Sequence, residues 1–278
     1  MSTISSWLRL SRAEHALFVF IAVVSAEFVS SRSFSSSLLL PAVGPALITL
    51  AAFILNDWFD IESDSANNRK DRPLVSGEIN SNTAVLVSTL LYLFGLLFSA
   101  FAGIIPFLVA LAFSIFSALY NWKLKKMPLV GNLFIALSMS ISFVYGNLCV
   151  SPSLVFPVIL FSCVSFLFGF GRELIITLRD VEGDKKAGAT TLPMILGAKT
   201  TATLASLSIF CSIPLMFFPL TYSFSIVYLA CVLLTAFFGL ATIYTVISSL
   251  ENESLKRARN LSLVGMGLGV LSFLALAF

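Results

Sequence analysis

Asn56, Asp57, Asp60, Glu62 and Asp64 crowd one short stretch of this chain, and Asp180, Glu182 and Asp184 crowd another. Both stretches lie in a polypeptide that carries charge on only 11% of its residues. Asn56, Asp60 and Asp64 recur at i, i+4 and i+8, and Asp180 and Asp184 repeat the four-residue step. On a helix, that spacing puts each set on one stripe. Like-charged oxygens on a stripe repel one another, and a hard divalent cation reverses the sign of that interaction. Mg2+ takes oxygen ligands, keeps several waters, and binds through one or two carboxylates plus substrate phosphates. The spacing therefore predicts two facing Mg2+ ladders, Asn56/Asp60/Asp64 and Asp180/Asp184, that bridge to a diphosphate. Arg72, Lys125, Arg179 and Lys185 are the candidates to neutralise the remaining phosphate charge. Asp57, Glu62 and Glu182 fall off the stripes and read as supporting charges. The competing reading, solvated loop carboxylates balancing basic residues, accounts for one ladder more easily than for two on one face.

The elements that position these groups follow from composition. The 278 residues are 58% hydrophobic, with a mean hydropathy of +0.98. Soluble chains carry charge on about a quarter of their residues, so this is a polytopic membrane protein. Runs such as 154–170 lack the period-two alternation of a β-barrel. The fold class is all-α, a bundle of nine transmembrane helices around a central cavity. The expected spans are 14–31, 38–57, 82–102, 104–122, 129–149, 153–178, 200–219, 223–248 and 258–277. Pro106, Pro128 and Pro152 fall near span starts, where proline is tolerated. The junction at Gly103 leaves room only for a tight hairpin. Trp7, Arg9, Arg12, Glu14 and His15 read as a short amphipathic segment feeding the first span, with no removable signal peptide. Cys149, Cys163, Cys211 and Cys231 all sit in apolar stretches and read as small buried hydrophobes. The 27 phenylalanines suit an isoprenoid tunnel and lipid-facing packing equally.

Of the 17 basic residues, only Arg32 falls on one side of this layout; the other 16 flank the opposite ends of the spans. Lys/Arg asymmetry in short loops sets orientation. It predicts a cell-membrane protein with its N-terminus and both acidic clusters cytoplasmic and its C-terminus outside. Membrane lipids, not nucleic acid, are its expected surroundings. The chain reads as a single membrane-embedded domain, 1–278. The interval from span to acidic ladder to basic loop to hairpin recurs, which suggests a weak duplication of about 14–126 and 129–259.

The residues also resemble a known family. Asn56-Asp57-x-x-Asp60-x-x-x-Asp64, together with Asp180-x-x-x-Asp184, is similar to the paired motifs of the UbiA superfamily of intramembrane prenyltransferases. Arg72-Pro73-Leu74-Val75-Ser76-Gly77 resembles that family's loop after the first motif. Tyr120-Asn121-Trp122-Lys123-Leu124-Lys125, followed by Gly131-Asn132, resembles another of its segments. So does Gly183-Asp184-Lys185-Lys186-Ala187-Gly188 with Thr191-Leu192-Pro193. The resemblance implies a Mg2+-dependent transferase that moves a polyprenyl group from its diphosphate to a lipid-like acceptor. It assigns one ion to Asn56, Asp60 and Asp64 and the other to Asp180 and Asp184. It puts Arg72 and Lys125 on the diphosphate and Tyr120 at the allylic carbon, although a tyrosine of the interfacial aromatic belt would look the same. Arg172-Glu173-Leu174 resembles the archaeal members that make digeranylgeranylglyceryl phosphate, an ether-lipid precursor in phospholipid biosynthesis. Ile176-Thr177 stand where those members commonly carry Lys-Asp. An ionic pair at the end of a span is costly and usually functional. Arg172 is thus expected to grip an acceptor phosphate, with Glu173 fixing its orientation. The alternatives are an aromatic acceptor of quinone- or chlorophyll-type pathways and, more distantly, a cation-coupled transporter. A transporter expects charges near mid-membrane, whereas these acids cluster at one face.

Overall fold

Apolar runs of helical length become helices throughout the computed structural model. It describes residues 3–33, 36, 39–66, 68–186, 188–222 and 224–276, with the backbone alone at Ala66 and Lys126. The expected span limits at residues 38, 223 and 277, Ala187 of the second loop motif and the C-terminal Phe278 lie outside the described residues.

The helices are α1 (Thr3–Ser11), α2 (Ala13–Ser31), α3 (Leu39–Phe59), α4 (Ile61–Ala66), α5 (Ser81–Phe101), α6 (Ile104–Trp122), α7 (Val130–Val150), α8 (Phe156–Lys186), α9 (Leu192–Leu196), α10 (Ala198–Phe217), α11 (Ile226–Ser248) and α12 (Asn252–Ala275). Among the described residues, nine of them are long and apolar enough to cross a membrane: α2, α3, α5, α6, α7, α8, α10, α11 and α12. Their outer faces carry exposed leucine, isoleucine and phenylalanine, as in Leu86, Leu90, Leu93 and Leu97 along α5. Lipid competes poorly with protein for nothing but shape, so helix association there depends on close backbone approach and on hydrogen bonds. At the crossing of α3 and α5, a Cβ added at Gly95 would lie 2.9 Å from the Gly44 carbonyl oxygen. Where α8 crosses α10, one added at Gly171 would lie 2.6 Å from the Ala205 carbonyl oxygen. Only glycine permits either approach.

The spans close into a ring: α2 packs on α3, α3 on α5 and α6, α6 on α7, α7 on α8, α8 on α10, α10 on α11, and α12 returns from α11 to α2. One core gathers Val23, Ala42, Ile48, Ala110 and Tyr145 from α2, α3, α6 and α7. Another gathers Leu174, Ile175 and Leu178 of α8 with Ala205 and Ile209 of α10 and Leu255 and Ala258 of α12. Gly103, at φ 121°, makes the tight α5–α6 hairpin.

Three boundaries depart from the expected spans. α8 runs on to Lys186 instead of stopping near residue 178, so Asp180 and Asp184 stand on the helix itself. α12 begins at Asn252 instead of residue 258, which puts Lys256 and Arg257 on a helix and not in a loop. Hydropathy locates the apolar part of a helix, and these polar turns extend beyond it. α3 ends at Phe59 and α4 resumes at Ile61. The four-residue step survives this break, because Asp60 N donates to Asn56 O (3.1 Å) and Asp64 N to Asp60 O (2.8 Å).

Candidate active site

The first ladder is held by cations of the protein. Asn56 Nδ2 donates to Asp60 Oδ2 at 3.2 Å, and Lys125 Nζ, from the turn after α6, binds Asp60 Oδ1. Asp57, off the stripe and 3% exposed, is clamped between two guanidiniums. Arg72 Nη1 reaches both of its oxygens at 2.9 Å, and an Nη of Arg12 reaches Oδ1 at 3.1 Å. Arg72 Nε also lies 3.6 Å from Asp64 Oδ2. Burial holds the Asp64 carboxyl above the usual range against the opposing pull of Arg72. Arg12 sits in the left-handed region between α1 and α2, at φ 47°, with its guanidinium 4.7 Å over the Phe53 ring.

The loop that brings Arg72 here is itself pinned. Leu74 and Ile79 are buried with Leu10 of α1 and Ile54 of α3. Arg9 of α1 pairs with Glu78 at 2.5 Å, Ser6 donates to the same carboxylate, and Asn80 caps α5 by accepting from Asn82 N at 2.9 Å.

The second ladder ends with the same device as the first. Asn68 (φ 54°) and Gly188 (φ 72°) are both left-handed, four residues after the last aspartate of each motif. Asn68 N donates to Ser65 O (3.0 Å) and Arg69 N to Asp64 O (2.9 Å); Gly188 N donates to Lys185 O (3.1 Å) and Ala189 N to Asp184 O (2.9 Å). Asparagine and glycine are the residues that accept this conformation at a helix C-terminus. On α8, Arg179 grips Asp180 with Nε at 2.7 Å and an Nη at 2.6 Å. Lys185 is exposed.

Tyr120 is within reach of both ladders. Its ring stacks on Phe134 at a centroid distance of 5.0 Å, and it lies within electrostatic reach of Glu173, Asp60, Arg12 and Asp184. Asp60 and Asp184 also feel one another's charge. The structure thus brings Asn56, Asp60, Asp64, Arg72, Lys125, Tyr120, Arg179, Asp180 and Asp184 to one end of the bundle. No three of the acidic, histidine or cysteine side chains close on a common point among the described residues. Their donors are hard oxygens, four carboxylates and one amide, which fits a hard divalent cation better than a soft one.

The expected Arg172–Glu173 pair does not form. Each feels the other's charge, but no hydrogen bond or ion pair joins them among the described residues. Arg172 is 4% exposed and its Nε has no acceptor. Glu173 is half-buried, and its carboxylate makes no hydrogen bond or ion pair among the described residues. Thr177 instead links helices, accepting from Asn132 Nδ2 at 2.7 Å and donating to the Glu173 carbonyl at 2.9 Å. Sequence reasoning missed Arg12 as a partner of Asp57 and missed Arg259, whose charge is felt by Arg172. Their shared signal, a basic residue at the polar end of an apolar span, was read for orientation only.

The UbiA prenyltransferase family model matches residues 16–275. The chain belongs to the UbiA prenyltransferase family. It is similar to the digeranylgeranylglyceryl phosphate synthase of Methanothermobacter thermautotrophicus, with 32% identity over 270 residues covering 97% of this chain and 95% of that one. The synthase of the same name from Archaeoglobus fulgidus is also 32% identical, over 97% of this chain and 94% of its own. A solved structure concerning digeranylgeranylglyceryl phosphate synthase in membranes superposes with a TM-score of 0.76 at 27% identity, covering 100% of this chain and 99% of that one. A UbiA homologue from Archaeoglobus fulgidus bound to GPP and Mg2+ shares the fold, with a TM-score of 0.71 at 21% identity over 96% of this chain and 99% of that one. As a UbiA-family prenyltransferase, this multi-pass membrane enzyme has its acidic ladders at the ends of α3–α4 and α8, both within electrostatic reach of Tyr120.

Proposed function

We propose that this UbiA-family enzyme transfers a geranylgeranyl-class polyprenyl group from its diphosphate to geranylgeranylglyceryl phosphate, a step of ether-lipid synthesis. The observation that carries the reading is the pair of acidic ladders that both reach Tyr120 electrostatically, with buried Arg172, whose Nε has no acceptor, two turns before Asp180 on α8. Near-full-length similarity to archaeal synthases of that name supports the acceptor.

Asn56, Asp60 and Asp64 would hold one Mg2+, and Asp180 and Asp184 the other. When bound, the ions supply charge neutralisation for the departing diphosphate. Lys125, Arg72 and Arg179 now hold Asp60, Asp57 and Asp180. With Asp60 and Asp180 neutralised by bound ions, Lys125 and Arg179 would be able to turn towards phosphate oxygens, and Arg72, beside Asp64, and exposed Lys185 would join them. The Tyr120 face, supported by Phe134, stabilises positive charge as it develops on the allylic carbon. The bond from that carbon to the diphosphate oxygen breaks, and diphosphate leaves with the electron pair. The glyceryl hydroxyl oxygen bonds to the carbon, and Glu173, which has no partner of its own, takes the hydroxyl proton.

The site opens on the cytoplasmic face, with the N-terminus inside and the C-terminus outside, and the chain functions as one domain. The matching caps after Asp64 and Asp184 support an ancestral duplication. Purified protein is to be given Mg2+, geranylgeranyl diphosphate and either geranylgeranylglyceryl phosphate or 4-hydroxybenzoate, and the product weighed by mass spectrometry. A prenylated glyceryl phosphate is the expected product. A prenylated aromatic acid alone overturns the acceptor and keeps the transferase.

A further inference from the structure

Arg172 of α8 feels the charge of Arg259 of α12 as well as that of Glu173, and neither arginine makes an ion pair among the described residues. The Arg172 side chain is buried, at 4% exposed, with Nε lacking an acceptor and no hydrogen bond or ion pair among the described residues. Arg259 is half-buried, and its guanidinium likewise has no partner among the described residues. Each lies close enough to Arg179 to be repelled by it, and Arg172 is also repelled by Arg259. The helix packing enforces this neighbourhood. Leu255 and Ala258 of α12 pack against Leu174, Ile175 and Leu178 of α8, and Arg259, four residues after Leu255, shares its face. Gly171 draws α8 tightly onto α10 and fixes the turn that carries Arg172.

Nearby carboxylates do not balance these charges. Asp180 is taken by Arg179 through two short hydrogen bonds, and Glu173, though its charge reaches Arg172, makes no ion pair with it among the described residues. Buried like charges of this kind are tolerated where a ligand completes them. Two planar guanidiniums match the oxygens of a phosphomonoester bidentately.

The donor diphosphate is accounted for elsewhere. Its cations, Arg72 and Lys125, lie on the α3–α5 loop and after α6, beside Asp64 and Asp60. Arg172 precedes Asp180 by eight residues, or about 12 Å of helix. We infer that Arg172 and Arg259 form a separate phosphomonoester subsite that seats the phosphate of a glycerol-lipid acceptor and directs its hydroxyl towards Glu173 and Tyr120. This rests on the proposed prenyl transfer and adds where the acceptor binds and why its phosphate is required.

The test compares geranylgeranylglyceryl phosphate with the same lipid lacking its phosphate, in wild type, Arg259→Gln and the milder Arg172→Lys. In the wild type, the phosphorylated acceptor should be strongly preferred. Inorganic phosphate should compete with it and not with geranylgeranyl diphosphate. Arg259→Gln should raise its KM about 100-fold, leave the donor KM within about twofold, and leave turnover of the phosphate-free lipid unchanged. Without donor, acceptor binding should raise the thermal midpoint of the wild type and not of Arg259→Gln; Arg172→Lys, which keeps the charge and loses the planar fork, should fall between. Unchanged acceptor KM in both variants, or equal shifts for donor and acceptor, overturns the subsite while the reaction stands. A wild type that ignores the glyceryl phosphate and prenylates a phenol overturns the reaction itself, and the subsite with it.

Discussion

At the scale of single residues, the site is a set of carboxylates already matched to cations. Asp60 is bound by Lys125 and Asn56, and Asp180 by Arg179. Those pairings hold the phosphate-binding cations where a diphosphate will need them. Asp60→Ala or Asp184→Ala removes a proposed Mg2+ ligand, so turnover should fall about 100-fold or more while the protein remains folded by circular dichroism. Near-normal turnover in either variant, or full activity in excess EDTA, ends the metal reading. Asp57 has a different task. It is 3% exposed and joins Arg12 of the α1–α2 junction to Arg72 of the α4–α5 loop. Asp57→Asn leaves Arg12 without its anion and Arg72 with only the longer contact to Asp64. Both are partly exposed, which softens the penalty, so a loss of about 2 kcal/mol is expected, seen as a lower thermal midpoint in detergent. An unchanged midpoint means the clamp contributes little to the fold.

At the scale of elements, two crossings govern where the chemistry stands. α8 carries Arg172, Glu173, Thr177, Asp180 and Asp184 on one continuous helix, so its rotation and depth set all five at once. Gly171 fixes both by contact with the Ala205 backbone, and Asn132 fixes the next turn through Thr177. Gly171→Ala places a methyl group 2.6 Å from a carbonyl oxygen that belongs to a helix and cannot swing aside. Overpacking of this sort costs about 1–3 kcal/mol. The variant should melt earlier and lose more activity towards the acceptor than its lost stability explains. Equal activity per folded molecule would remove α8 depth as a determinant. The repeated left-handed cap after Asp64 and Asp184 has a similar use, since it ends each ladder one turn past its last acid and turns the chain back.

At the scale of the whole molecule, charge asymmetry gives an orientation that can be tested. Sixteen of the 17 basic residues lie at one end of the bundle, so a reporter active only in the cytoplasm should be silent when fused after residue 278; a bright fusion reverses the proposed topology. The number of spans, the hairpin at Gly103, the helical stripe of acids and their common end were all legible in the sequence. Each depends on hydropathy or on spacing along one helix, which are local properties. Even the off-stripe status of Asp57 could be read this way. What the sequence left open was how the helices are rotated against one another. Arg172 and Glu173 are adjacent and feel one another's charge, yet they make no ion pair among the described residues, and Arg172 also meets the charge of Arg259 from 87 residues further along. The Asp57 clamp, the Asn132–Thr177 bond and the reach of Tyr120 to both ladders likewise join distant helices. Spacing along one helix determines which residues share its face. Which other helix that face meets is decided only when glycine-mediated crossings and buried cores lock the bundle together.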